Sequence, residues 1–291
     1  MTDRVGFGWR PELAAGILSH LDSIDVIEVI ADDYFDHPPR VRALKTLAAQ
    51  STVVLHGIAL GMASTSPVDP KRLVKMARLV EQIRPESWSE HLAFVRAGDI
   101  EIGHLAAPPR TRSTIDATAE NLYQARKIVG ALPLVENIAT LIDPPASALD
   151  EPEWLSQTLH ASGADMLLDL HNLYANSINF GIENFLARLP LHRVHAVHIS
   201  GGRIVGERLL DDHLHDPPDP VYDLLAQLAE KCPNPLTVIL ERDGSYPPMA
   251  QLLQQLDRAR SALKKGRHER SQAGKISGDP LHRPESACAL P

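Results

Sequence analysis

Aromatic side chains are scarce in this 291-residue chain, at 4%, and it has only two cysteines. The first scarcity means that a buried core must be built from Leu, Val, Ile and Ala, for which a 44% hydrophobic content is ample. The second excludes a disulfide framework and a thiolate metal site. Cys232 and Cys288 lie far apart, a usage that suits a reducing cytoplasm. No apolar run approaches membrane-spanning length, and Met1-Thr2-Asp3-Arg4 opens without the apolar stretch of a secretion signal. The expectation is a cytoplasmic protein with no membrane partner. Positive charge is in deficit as well. Against 37 Asp and Glu stand 29 Lys and Arg, a net charge of -8, which argues against a broad basic surface for nucleic acid.

What the chain does have is alternation. Short β-type apolar runs are separated by helical patterns from end to end. The strands fall at Val5–Trp9, Asp25–Ile30, Thr52–His56, Ser87–Leu92, Pro133–Asn137, Asp165–Leu170, Val194–Ile199 and Leu236–Glu241. Helices are expected from Pro11, over Pro39–Ala49 and Pro70–Ile83, after a cap at Ser113, and over Glu151–Ser162, Ile182–Leu189, Pro220–Lys231 and Pro248–Leu263. An irregular segment, Arg96 to Arg112, interrupts the rhythm. Eight strands each followed by a helix predict an α/β fold of the (β/α)8 TIM-barrel type over residues 1–263. A doubly wound sheet would want a Gly-rich phosphate turn after the first strand, and Gly6-Phe7-Gly8-Trp9-Arg10 has no third Gly at the required place. From Lys264 the composition turns polar (Lys264-Lys265-Gly266-Arg267-His268-Glu269-Arg270), so residues 264–291 read as a disordered tail.

Barrel enzymes carry their chemistry at the C-terminal ends of the strands. Here the second strand offers Glu28, Asp32 and Asp33, and the third ends in His56. The fourth ends in Glu90-His91, the fifth in Glu136-Asn137 and the sixth in Asp169-Leu170-His171-Asn172. The seventh ends in His198, with Asp211 and His213 in the loop beyond, and the eighth in Glu241-Arg242-Asp243. So many ionisable groups at one mouth would force carboxylates to protonate unless a multivalent cation relieved the repulsion. The array exceeds what one ion needs, and a carboxylate such as Glu136 could bridge two. His171 and His215 read as flanking the site. His20, His104, His160, His192 and His195 read as structural or surface residues.

The order His56, His91, Glu136, Asp169-x-x-Asn172, His198, Asp211-x-His213, Glu241 resembles the ligand order of the xylose isomerase-like barrel superfamily. Its endonuclease IV branch has a His where Asn172 stands. The local motifs resemble the DUF692 (UPF0276) family more closely, the multinuclear non-haem iron-dependent oxidative enzymes (MNIO). They are Gly6-Phe7-Gly8-Trp9-Arg10, Glu28 with Asp33-Tyr34, His56-Gly57, Ser89-Glu90-His91-Leu92 and Glu136-Asn137. Asp169-Leu170-His171-Asn172-Leu173-Tyr174-Ala175-Asn176, His198-Ile199-Ser200-Gly201, Asp211-Asp212-His213 and Glu241-Arg242-Asp243 complete the set.

The resemblance implies two or three iron ions of mixed valence and dioxygen as oxidant. It also implies a ribosomally made precursor peptide as substrate, modified at Cys or at Asp or Asn, and a separate partner protein that presents it. Carried over, His56, His91, Glu136, Asp169, Asn172, His198, Asp211, His213 and Glu241 become the metal ligands. The family more often shows Asn at the place of His171, and Leu at the place of Trp9. His171 is therefore an extra base or ligand, and Arg242, Asp243 and Tyr246 are placed to orient the peptide. A metal-dependent phosphodiester hydrolase is the second reading, a sugar isomerase or epimerase the third, and a non-enzymatic metal-binding scaffold the last.

Overall fold

The computed structural model describes residues 2–97 and 100–277. Eight parallel strands close into a barrel. They are β1 (Arg4–Gly8), β2 (Val26–Ile30), β3 (Val53–Gly57), β4 (Trp88–His91), β7 (Leu134–Glu136), β8 (Met166–Asp169), β9 (Val194–Ile199) and β12 (Thr237–Leu240), with β12 pairing back to β1. Two antiparallel hairpins stand outside it: β5 (Phe94–Ala97) with β6 (Ile100–Ala106), and β10 (Gly202–Val205) with β11 (Arg208–Asp211). The segment expected to be irregular after Arg96 therefore contains a strand, because β5 supplies it with a pairing partner.

Alternation along each strand sorts the side chains. Val5, Phe7, Ile27, Val29, Leu55 and Leu168 point outward into one continuous core against the helices. The inward positions near the strands' C-terminal ends carry the polar residues Glu28, His56, His91, Glu136, Asp169 and His198, all buried. Helix α3 (Pro70–Ile83) illustrates the local logic. Asp69 accepts from the Lys71 amide at 2.9 Å, Pro70 opens the first turn, and Leu73, Met76, Leu79 and Ile83 form the buried stripe. Helix α5 (Glu151–Ser162) starts under the Asp150 cap and ends at Gly163, whose φ of 69° closes the last turn.

Three expectations are corrected. Helix α4 (Arg112–Val129) is capped by Thr111, not Ser113, because Thr111 and Thr114 exchange side chain-to-amide bonds in a capping box. The sixth helix, α6 (Leu170–Phe180), begins directly after β8 instead of near Ile182, because Asp169 itself caps it, accepting from the Asn172 amide at 2.6 Å. The final helix, α8 (Met249–Ser277), runs on through the first half of the expected tail. Gly266 lets it lie against α7 (Asp219–Lys231): a Cβ there would sit 2.1 Å from the Ala226 carbonyl oxygen. Arg267 then reaches the bottom of the barrel, donating to both oxygens of Asp3 (2.9 and 2.7 Å) and to the carbonyls of Ala229, Cys232 and Asn234. Arg267→Ala is expected to lower stability by about 2 kcal/mol, the worth of a hydrogen bond to a charged partner. Urea titration reads this, and an unchanged midpoint would show the arginine to be dispensable. The rest of the expected tail, 278–291 with Cys288, lies outside the described residues.

Candidate metal centre

The nine residues expected as ligands come from the ends of six barrel strands and the segments just beyond them, and the structure gathers them at one mouth. Glu136, ending β7, lies at the middle. Its Oε2 is 3.3 Å from both His56 Nε2 and His91 Nε2, and its Oε1 is 3.3 Å from His198 Nδ1. Glu241 Oε2 approaches His198 Nδ1 at 3.1 Å and His213 Nδ1 at 3.5 Å. Asp211 Oδ2 lies 2.9 Å from His213 Nε2.

Two groups can each hold an ion. His56, His91 and Glu136 offer ligand atoms within 4.8 Å of one another, and so do Glu136, Asp169, His198 and Glu241. Glu136 belongs to both. Six buried polar atoms here lack an aligned hydrogen-bond partner: Glu136 Oε2, Asp169 Oδ2, His171 Nε2 and Asn172 Oδ1, together with His198 Nδ1 and His213 Nε2, whose nearest carboxylate oxygens lie off the hydrogen-bond direction at 3.1 and 2.9 Å. Buried polar groups are nearly always paired, and an orphan costs roughly 1–3 kcal/mol. Carboxylate, amide and imidazole atoms left open together fit a cluster of cations.

The far side of each imidazole explains why the open nitrogen is the one facing inward. His91 Nδ1 lies 3.2 Å from the Gly57 carbonyl, which can only accept, so Nδ1 carries a proton and Nε2 is the nitrogen turned towards Glu136, to hold either a proton or an ion. His56 Nδ1 bonds Ser89 Oγ at 2.8 Å, and that hydroxyl donates its own hydrogen bond to the Leu55 carbonyl. His198 Nε2 bonds Glu28 at 3.0 Å, freeing Nδ1 for the centre. Such partners fix the tautomer of a ligating histidine and hold its ring in place.

Electrostatics follow from the crowding. Burial pulls the His91 imidazolium down, but Glu136, Glu90 and Glu241 together outweigh it and hold the group up at about 9. His198 and His213 are likewise buried yet held well above the usual imidazole range by Glu241 and its neighbours. Burial would raise Glu136 and Glu241, but the facing histidines bring both below the ordinary carboxylate range. Asp169 goes the other way. Burial, then the charges of Asp211 and Glu136, push it well up. The protonation expected from like-charge repulsion thus falls on Asp169 alone of these three.

The residues assigned to substrate handling are redistributed. Arg242 is corrected: its guanidinium is spent on the Gly244 and Ser245 carbonyls and on Asp216, at 2.7–2.9 Å, so it ties two loops together instead of facing the mouth. Asp243 faces His213 Nδ1 at 3.2 Å, which makes it an orienting partner of that imidazole. His171 bonds Asp211 Oδ1 at 2.8 Å through Nδ1 and is fully buried. It packs so close to Gly202 that a Cβ there would lie 2.7 Å from its ring. His215 is drawn away by Asp212 at 2.9 Å. His213 holds a left-handed backbone (φ 54°), pinned by its amide to Gly201 and its carbonyl to the Asp243 amide. Strain of this kind costs about 1–3 kcal/mol and concentrates at functional sites.

Three further residues stand beside the site. Glu28, on the second strand, holds His198. Arg10 belonged to an N-terminal motif. Its Nε and NH2 both donate to Asp243 Oδ1 (2.8 and 2.5 Å), in room left by Gly8, whose Cβ would sit 3.2 Å from the guanidinium. His104, expected as a structural or surface residue, is exposed and also lies on a wall of the cavity beside the centre. Arg10→Ala should free Asp243 and His213 and weaken metal binding about 10- to 100-fold, the usual effect of an orienting partner. Arg10→Lys should restore part of it. Metal titration decides, and an unaltered isotherm in Arg10→Ala would remove Arg10 from the site.

A cavity of about 550 Å³ opens on the centre. His91, Glu136, Asn172, Asp211 and His213 form its polar floor, and Ile138, Leu141, Pro144, Leu209 and Leu210 are among its apolar walls. Ile100, Ile142 and Ile204, on the segments around it, are each more than 70% exposed. Among the described residues, no helix is long and apolar enough to cross a membrane.

Residues 4–264 match the model of the family described as RiPP precursor modification enzyme MbnB/TglH/ChrH. A UPF0276 protein of Streptomyces avermitilis is 35% identical over 269 residues, which cover 89% of this chain and 55% of that protein, so the chain spans about half of that relative's length. A UPF0276 protein of Bordetella bronchiseptica is 30% identical over 274 residues, covering 90% of this chain and 93% of that one. Among solved structures, a xylose isomerase domain protein from Alicyclobacillus acidocaldarius aligns with a TM-score of 0.60 at 15% identity, over 90% of this chain and 99% of the other. An L-ribulose 3-epimerase aligns at 0.56 and 16%, over 97% and 100%. At such identities the likeness is one of fold, that of the xylose isomerase-like barrels.

Proposed function

The chain belongs to the MbnB/TglH/ChrH family of RiPP precursor modification enzymes, and from that premise we propose that it oxidises a residue of a ribosomally made precursor peptide, with iron at the barrel mouth and dioxygen as oxidant. Cys is the first candidate for the modified residue, then Asp or Asn. The observation that carries the reading is Glu136, shared by two ligand groups and surrounded by orphaned buried polar atoms. The first group, two histidines and one carboxylate, is the donor set that non-haem Fe(II) oxygenases use. The second, three carboxylates and one histidine, is harder and suits an ion of higher charge. That contrast supports a mixed-valence pair, and Asn172, Asp211 and His213 are donors for a third ion.

Bound iron would supply the electron transfer to dioxygen. The chain's own residues do the rest. Glu28, Ser89, Asp243 and Arg10 hold the imidazoles in orientation, His171 keeps Asp211 in place, and the apolar walls around Leu209 and Ile138 seat the peptide and exclude water from the floor. The exposed isoleucines around the cavity offer purchase for the peptide or for a separate protein that presents it. Free Cys232 is compatible with a cytoplasmic setting.

Oxygen uptake that requires both iron and a Cys-containing precursor peptide is the expected result. Full turnover with zinc under anaerobic conditions would overturn the reading in favour of a hydrolase.

A further inference from the structure

Between β7 and α5 the chain runs from Asn137 to Asp150 without a helix or a strand. Loops this long in a compact fold are uncommon, and those that exist mostly serve binding. Ile138, Leu141, Ile142, Pro144 and Pro145 of this loop wall the cavity over the metal centre. Leu141 and Ile142 are 47% and 73% exposed, so the loop turns large apolar side chains to solvent instead of folding them into the core. Three buried polar residues keep it there. Arg110 holds the far end. It donates through NH1 to Asp143 at 2.8 Å and through its amide to Ser147 Oγ at 3.0 Å, and its carbonyl accepts from the Ala148 and Leu149 amides. Asn176, fully buried on α6, holds the near end. Its Nδ2 donates to the Ile138 carbonyl at 2.9 Å and its Oδ1 accepts from the Thr140 amide at 3.0 Å. Glu151 joins the two, accepting from Arg110 at 3.0 Å and from Asn176 at 2.9 Å. The motif from Asp169 to Asn176 thus starts at the metal centre and ends at the anchor of the cavity wall.

A buried ion pair such as Arg110 with Glu151 adds little net stability over well-packed apolar residues, and its use lies in fixing one arrangement. We propose that Arg110, Glu151 and Asn176 are positioning residues that hold this loop as a preformed recognition wall, and that the wall selects precursor peptides with large apolar residues on either side of the one that reaches the floor. The inference rests on the peptide reading above. The polar groups of the cavity lie mainly on its floor, whereas Leu141 and Ile142 here and Leu209 and Leu210 elsewhere on the walls offer no side-chain hydrogen bond. A leucine or isoleucine beside the modified residue gains by leaving water there. A charged one would give up its hydration for nothing. Because the wall is ordered in advance, the peptide does not bear the cost of ordering a long loop.

Two short fluorescent peptides test it on the full-length, Fe(II)-loaded protein kept anaerobic, each with a central Cys, flanked by Leu in one and by Ser in the other. Anisotropy is expected to show the Leu-flanked peptide binding about tenfold tighter, a fraction of the gain from burying two leucine side chains. Leu141→Ser combined with Ile142→Ser, both at exposed positions, should erase that preference. Asn176→Ala should weaken it and also speed hydrogen exchange at the Ala148 and Leu149 amides about tenfold, although their acceptor, the Arg110 carbonyl, is untouched. If Asn176→Ala does not fold, Arg110→Lys keeps a charge beside Glu151, loses the fork to Asp143 and should give smaller changes in the same direction. No preference between the two peptides in the unaltered protein would overturn the wall. Unchanged exchange at Ala148 and Leu149 in a folded Asn176→Ala would overturn the positioning role. None of these readouts needs turnover, so a protein that oxidises no peptide overturns the oxidative reading alone, and the two peptides still decide the wall.

Discussion

Glu136→Gln should abolish turnover and strip the centre of most of its metal, the largest effect expected of any single substitution in this chain. The side chain keeps its volume, so the barrel has no packing reason to change. What disappears is the one charge that both ligand groups share. His56 and His91 lose the carboxylate 3.3 Å from their Nε2 atoms, and His198 loses it at the same distance from Nδ1. Orienting partners of metal ligands are worth about 10- to 100-fold in affinity. A bridging ligand should exceed that range, because its removal opens two coordination spheres together. Glu28→Gln provides the comparison, since it disturbs only the bond that sets the His198 tautomer and should fall within the range. Metal content by elemental analysis after gel filtration, with circular dichroism as the check on folding, separates the two. A Glu136→Gln protein that kept its full metal complement would refute the bridging role.

The difference between these two glutamates marks how far the site was legible in the sequence. Period-2 strands ending in His, Asp or Glu locate the mouth, because a closed parallel barrel brings all its C-terminal ends together. Glu28 sits among such residues, but whether a strand-end carboxylate touches an ion or the back of an imidazole depends on register across the barrel, and the two partners are 170 residues apart. Arg10 was hidden for the same reason, since Asp243 lies 233 residues on. Asp169 carried two meanings at one spacing. Asp-x-x-Asn reads as a ligand pair, yet one oxygen of Asp169 caps α6 and the other is left open at the centre. The α6 sequence buries residues around most of its circumference, so it lacks the apolar-and-polar periodicity that announces a surface helix, and pattern alone places the helix a dozen residues late. The chain beyond Lys264 misled through composition. Its charges look solvated, but Arg267 is neutralised by Asp3, 264 residues away, and no local pattern reveals such a partner.

The second large effect is one of pH, and it separates the metal-free protein from the loaded one. Without metal, protons supply the positive charge at the centre. His91 is held up at about 9, and His198 and His213 well above their usual range, by the same carboxylates that would otherwise bind cations. A histidine whose folded pKa exceeds its unfolded value of about 6.5 contributes stability that is full below 6.5 and is lost as pH rises through the folded value. For His91 that window runs from about 6.5 to about 9 and is worth on the order of 3 kcal/mol. Asp169, raised well above its ordinary value, acts in the same direction from lower pH. The metal-free protein should therefore lose stability steadily from pH 6 to pH 9.5, whereas bound ions replace the protons and flatten the curve. By the same linkage, metal uptake near pH 7 releases protons, and apparent affinity rises with pH towards 9. Thermal unfolding across this range, with and without a chelator, measures the divergence, and proton release on titration with Fe(II) in weak buffer measures its cause. Parallel curves for the two forms would mean that the cluster of carboxylates and imidazoles is stabilised by its own hydrogen bonds and needs no cation.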